Sequence, residues 1–184
     1  MKATGIVRRI DDLGRVVIPK EIRRTMRIRE GDPLEIYTDR EGEVIFKKYS
    51  PIGELTGFAV QYAETLHKIC SMAVIICDRD VVIASSGVSR KEYTDKRLSE
   101  ELERIMEGRS LYLWNENANR ISAIDGGSHF VSCAMPIVSE GDVIGCVASL
   151  VENGEDKPHD AVGGDVEGKL IMTAASFLGR QLES

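Results

Sequence analysis

Hydrophobic residues change their period several times along the chain, and each change predicts an element. Two short β-branched runs come first, "TGIVRRID" from Thr4 and "RVVIP" ending at Pro19, joined by "DDLG", where Gly14 can take a positive φ. Pro19 cannot donate to a ladder and suits the first position of a helix, so it marks a switch from strand to helix. The helix it opens, Pro19 to about Arg27, carries Ile22 and Met26 on one face; at about 100° per residue, Lys20, Arg23, Arg24 and Arg27 fall opposite. After the turn signal "REGD", the alternation Leu34, Ile36 and Val44, Phe46 predicts a hairpin across "DREGE". The first 50 residues therefore read β-β-α-β-β.

From Ser50 the pattern lengthens. Ser50 is a candidate N-cap and Pro51 a first helical residue, and Ile52, Leu55, Ala59, Tyr62, Leu66 and Ile69 form an a/d seam. "SMAVIICDRDVVIASSG" predicts a hairpin turning at Asp78 to Asp80. "RLSEELERIMEGR" predicts a helix with Leu98, Leu102 and Ile105 inward, and "SLYLW", "RISAID", "HFVSCAMPIV" and "DVIGCVASLV" predict further strands, the last two joined by "SEGD". A closing helix sets Ile171, Ala174, Ala175, Leu178 and Leu182 on one side and is expected to pack on the first long helix. Strands in sequence with helices at both ends and one between imply an α+β antiparallel sheet. The expected organisation is a first module over residues 1–49, a linker over 50–54 and a second domain over 55–184.

Charge changes the picture of the first module. The 184-residue chain carries a formal net charge of -6, but residues 1–50 hold twelve Lys/Arg against nine Asp/Glu, net +3, which leaves -9 for the remainder. Over residues 1–29 nine basic residues face three acids, Asp11, Asp12 and Glu21, net +6. This asymmetry suggests a short anion-binding module on an acidic body, whereas a charge run without further pattern reads as a solvated face. The module is also too small to bury a comfortable core alone, and it has neither disulfides nor metal ligands, so dimerisation is expected.

The pattern "DDLGRVVIPKEIR", with "IREGDPLEI" after it, resembles the swapped-hairpin DNA-binding domain of the AbrB family of bacterial transition-state regulators. That resemblance implies an interleaved dimeric β-barrel and contact with double-stranded DNA through Arg8, Arg15, Arg23 and Arg24, with Arg9, Lys2 and Lys20 as auxiliaries. Arginine forks suit phosphates and guanine edges independently of any family, and two-fold symmetry doubles the set. "PIVSEGDVIGCVA" and the order of elements around it resemble a GAF domain. The resemblance implies a sensing fold for an unknown small molecule. The two-module order is similar to that of a sporulation regulator, which implies a homodimer assembling to a homotetramer that represses some sporulation genes and activates others.

No apolar run approaches the roughly 18 residues of a membrane span, and the start has no apolar leader, so a cytoplasmic protein is expected. Cys70, Cys77, Cys133 and Cys146 lack the close spacing of metal or redox pairs, and the last three lie in strand-like runs as small hydrophobes. His67, His129 and His159 form no recognisable catalytic motif. No enzyme activity, metal or cofactor is expected; a thiol reductase is the enzymatic alternative and an antitoxin-type autoregulator the other. A sensor pocket, if the second domain has one, is expected around Arg90, Lys91, Tyr93, Trp114 and Asn115.

Overall fold

The computed structural model describes residues 4–154 and 163–183. It divides into two compact units, Met1–Tyr49 and Ser50–Ser184. Lys2 and His159 lie outside the described residues.

Among its described residues, unit 1 contains one short helix, α1 (Lys20–Thr25), and one antiparallel hairpin, β1 (Leu34–Thr38) with β2 (Val44–Lys48). Its register sets Ile36 opposite Phe46 and Tyr37 opposite Ile45. Asp39 holds the turn by accepting the Glu41 and Glu43 N–H groups on Oδ1 at 3.0 and 2.8 Å. The runs at residues 4–10 and 15–18, expected as strands, carry no ladder. A β-branched run needs a neighbouring edge before it becomes a strand, and these runs have none among the described residues of the single chain. Pro19 is the one buried residue among the described residues of this unit. Val7 (89% exposed), Leu13 (74%), Val17 (71%) and Ile10 (69%) are largely open.

Unit 2 is built on a five-stranded antiparallel sheet of order β4-β3-β7-β6-β5, with β3 (Ala73–Cys77), β4 (Val82–Ser86), β5 (Tyr112–Leu113), β6 (His129–Ser139) and β7 (Asp142–Glu152). The expected α+β class with antiparallel sheets is what the chain adopts. In "AVIIC" both faces are apolar for a reason: Val74 and Ile76 enter one core, Ile75 and Cys77 the other. The first core is closed by α2 (Pro51–Glu54), α3 (Thr56–Cys70) and α6 (Gly164–Gln181), through Ile52, Ala59, Ala63, Leu66, Ile171, Ala174 and Leu178. The second is closed by α4 (Arg90–Tyr93) and α5 (Glu100–Glu107), through Tyr93, Leu102 and Met106.

Several expectations shift. Within the 50–54 segment expected as a linker, Pro51–Glu54 form α2, and fully buried Ile52 anchors them in the first core. The long helical seam breaks at Leu55, and α3 buries Ala59, Ala63 and Leu66 while Ile69 is 77% exposed, so the buried stripe is narrower than an a/d seam. "RISAID" is not a strand: its β-pairing is confined to isolated bridges, Leu98 with Ile124 and Ser122 with Phe130. Leu98 stays outside α5, which starts after Ser99, whose Oγ accepts the Leu102 N–H at 3.1 Å and donates to the Ser122 carbonyl at 2.6 Å. The first and last long helices do pack together, with the Phe177 ring 5.9 Å from Phe58 and 5.6 Å from Tyr62.

Candidate nucleic-acid interface

The basic residues of unit 1 are positioned by three local devices. The first is the turn of residues 11–15. Asp11 donates its N–H to the Arg15 carbonyl at 3.0 Å, and the Gly14 N–H returns to the Asp11 carbonyl at 2.9 Å. Gly14 sits at φ +75°, a conformation in which a side chain is strained. The Asp11 carboxylate completes the turn: Oδ1 accepts the Leu13 and Arg15 N–H groups at 3.0 and 2.8 Å, and Oδ2 accepts Arg15 Nε–H at 2.8 Å. The Arg15 N–H and then its guanidinium hold the Asp11 carboxyl below the usual carboxylate range.

The second device is Pro19, whose carbonyl accepts the Arg23 N–H at 2.9 Å and starts α1. Lys20, Arg23 and Arg24 are exposed and share a helical face by their spacing of three and four. Met26 caps the helix, and Arg27 then turns left-handed at φ +51°, which lets the Ile28 N–H reach the Arg23 carbonyl at 2.8 Å. Arg27 is half-buried, and its carbonyl accepts Lys48 Nζ at 2.9 Å. The third device is Asp32, which accepts the Arg29 N–H at 2.8 Å and lies 3.5 Å from Lys48 Nζ, tying the end of α1 to β2.

Arg8 and Arg9 are exposed on the open run before the turn. Six expected residues, Arg8, Arg9, Arg15, Lys20, Arg23 and Arg24, thus stand on three consecutive segments, and all are open to solvent. Asp11 escaped the sequence reading, which counted it only as an acid; the signal was the D-x-x-x-R spacing across a glycine turn.

In unit 2 the residues expected around a sensor pocket do not converge. Tyr93 is a core residue whose hydroxyl accepts the His129 N–H at 3.1 Å. Arg90 is exposed and pairs with Glu64 at 3.0 Å. Trp114 packs edge-on against Phe130 at 4.9 Å, donates Nε1–H to the Ala118 carbonyl and lies beneath Arg120. Asn115 Oδ1 accepts the Asn117 N–H, and Lys91 is exposed. The sequence missed a polar cluster beside them. Ser128 donates its N–H to Glu92 Oε1 at 2.8 Å, and its Oγ lies 2.8 Å from His129 Nδ1. Hydrogen bonds from Ser128 lower the Glu92 carboxyl below its ordinary value. Cys77, Cys133 and Cys146 are buried, and Cys70 is partly exposed. Among the described residues no cluster of His, Cys, Asp and Glu is arranged to hold a metal ion, and no helix is long and apolar enough to cross a membrane.

An open basic segment joined to a separately cored α+β unit is the plan of a transcription factor with an attached domain. Residues 54–183 match the family described as "Stage V sporulation protein T C-terminal, transcription factor", and residues 7–53 match "Antidote-toxin recognition MazE, bacterial antitoxin". Stage V sporulation protein T of Bacillus subtilis (strain 168) is 55% identical over 185 residues, spanning 100% of this chain and 99% of the relative. The chain belongs to the stage V sporulation protein T family. The solution structure of the N-terminal DNA recognition domain of the Bacillus subtilis regulator AbrB is 63% identical over 28% of this chain and 94% of its own, with a TM-score of 0.25. The cofactor-binding GAF domain of the nutrient sensor CodY from Clostridium difficile is 18% identical over 67% of this chain and 83% of its own, with a TM-score of 0.42.

Proposed function

We propose that this chain is a DNA-binding transcription regulator of sporulation genes that works as a homo-oligomer, without catalytic chemistry. Unit 1 binds double-stranded DNA as an interleaved dimer through Arg8, Arg15, Arg23 and Arg24, with Arg9, Lys2 and Lys20 assisting. The observation that carries the reading is the open state of unit 1. A segment with one buried residue among those described, several wide-open aliphatic side chains and two unladdered β-branched runs has its core still to be completed. A second copy supplies both the missing edges and the missing apolar surface, and it doubles the arginine set. The strong sequence likeness to the DNA recognition domain of AbrB over these residues supports the same reading.

Unit 2, read as a GAF-like module, pairs with its own copy to close a tetramer and sets the spacing of two N-terminal dimers on DNA. A small molecule or a contact that favours one arrangement biases that spacing. Its excess negative charge keeps unit 2 off the phosphates and leaves binding to unit 1. The whole acts in the cytoplasm. An antitoxin role, suggested by the match over residues 7–53, fits less well, because the rest of the chain is a folded two-core domain rather than a toxin-wrapping tail.

Anisotropy titration of a labelled duplex at two salt concentrations tests the reading. Binding should weaken steeply with salt, log K falling by about 0.9 per phosphate neutralised. Arg15→Ala and Arg23→Ala should each weaken binding and flatten the slope. Titrations unchanged by both substitutions would overturn the assignment. Native mass spectrometry reading a monomer would overturn the architecture.

A further inference from the structure

The Asp11 carboxylate does two separable things. Oδ1 takes the Leu13 and Arg15 N–H groups, which shapes the turn, while Oδ2 takes Arg15 Nε–H, which fixes the side chain. Nε is the inner donor of the guanidinium, so the outer Nη1 and Nη2 groups are left to face outward on a side chain that is 70% exposed. A free arginine samples many rotamers and must give them up on meeting a phosphate or a guanine edge. One tethered through Nε has already given them up, with its fork aimed.

Resting on the reading of Arg15 as a DNA contact, we propose that Asp11 is a positioning residue for DNA binding, clamping the Arg15 guanidinium through Nε so that its outer fork is presented to the duplex. The clamp works against an opposing effect. A carboxylate near DNA repels phosphates, and removing it for charge reasons alone would tighten binding. The two accounts therefore differ in sign. The neighbouring residue supplies the control: Asp12 is exposed and makes no hydrogen bond or ion pair among the described residues, so its carboxylate carries charge without a clamp.

The test uses the full chain and a labelled duplex of about 40 base pairs, long enough for two half-sites several turns apart. Asp11→Asn keeps the amide oxygen for the two turn N–H groups but sets an NH2 against Arg15 Nε–H, so it preserves the turn and abolishes the clamp. The expected result is that Asp12→Asn binds as tightly as the native chain or slightly tighter, while Asp11→Asn binds about tenfold more weakly, in the range set by one bidentate arginine contact. In an Arg15→Ala background, Asp11→Asn should cause no further loss. Tighter binding by Asp11→Asn, or an equal loss with Arg15 already removed, would overturn the proposal while leaving Arg15 as a DNA contact. If Arg15→Ala itself binds like the native chain, the DNA reading of Arg15 fails instead. Asp11→Ser covers the case in which Asp11→Asn does not fold. Serine there still accepts a turn N–H through its hydroxyl but offers no carboxylate to Arg15 Nε–H, so binding about tenfold weaker than native supports the clamp, and native or tighter binding overturns it.

Discussion

Val138 and Gly179 approach so closely that a Cβ on Gly179 would overlap the Val138 carbonyl oxygen. Here α6 lies against the end of β6 with backbone touching backbone. Replacing a helical glycine by alanine normally stabilises by up to about 1 kcal/mol. At this position the sign should reverse. Gly179→Ala is expected to cost about 1–3 kcal/mol through displacement of α6 from the sheet, read as a lower thermal midpoint of unit 2. An unchanged or raised midpoint would show that α6 can retreat without loss.

Ser132 offers the opposite case. It is the extra residue at a β-bulge, where the register slips between Val131 and Cys133. Its carbonyl accepts the Trp114 N–H at 2.8 Å, while its hydroxyl is buried without a hydrogen-bond partner among the described residues. Ser132→Ala should therefore be neutral or stabilise by up to about 1 kcal/mol in chemical denaturation. Clear destabilisation would mean that the hydroxyl has a role the fold does not reveal.

The thiols should separate in a timed alkylation of the native protein. Cys70, at the end of α3, should react first, and Cys77, Cys133 and Cys146 only on unfolding. Cys77 is the extreme case: the hydrogen bond with Cys146, its register partner, and full burial push the thiol well above its ordinary value. Rapid reaction of any of the three would return attention to thiol chemistry.

Glu92 makes a pH prediction whose sign follows from its lowered carboxyl. A carboxyl that holds its proton less tightly when folded contributes stability above the unfolded value, and the contribution is lost as pH falls through the folded one. Between about pH 5 and pH 3 the native chain should therefore lose more stability than Glu92→Gln does. Equal slopes would mean that the Ser128 contacts do not act through the charge.

If the open aliphatic residues of unit 1 are covered by a second copy, its unfolding midpoint must depend on protein concentration, as mass action requires. A differential scan across about a hundredfold dilution range should shift the unit 1 transition downward. A midpoint independent of concentration would leave Val7, Ile10, Leu13 and Val17 without an occupant.

Much of this protein was legible along the chain because local rules set it. The turn at Gly14, the proline that opens α1, the hairpin of β1 and β2 and the apolar runs of the central strands all follow from backbone preference and period. So did the concentration of positive charge in the first 30 residues. What the tertiary structure alone decided depends on contacts between distant residues. Isolated runs such as 4–10 and "RISAID" have strand composition, but a strand exists only where another edge receives its hydrogen bonds. Burial of Ile52 turned an expected linker into part of a core, and the break at Leu55 narrowed a seam to one stripe. Period is a property of the residues in a segment; pairing, burial and the hold of Asp11 on Arg15 are properties of what the folded chain brings against it.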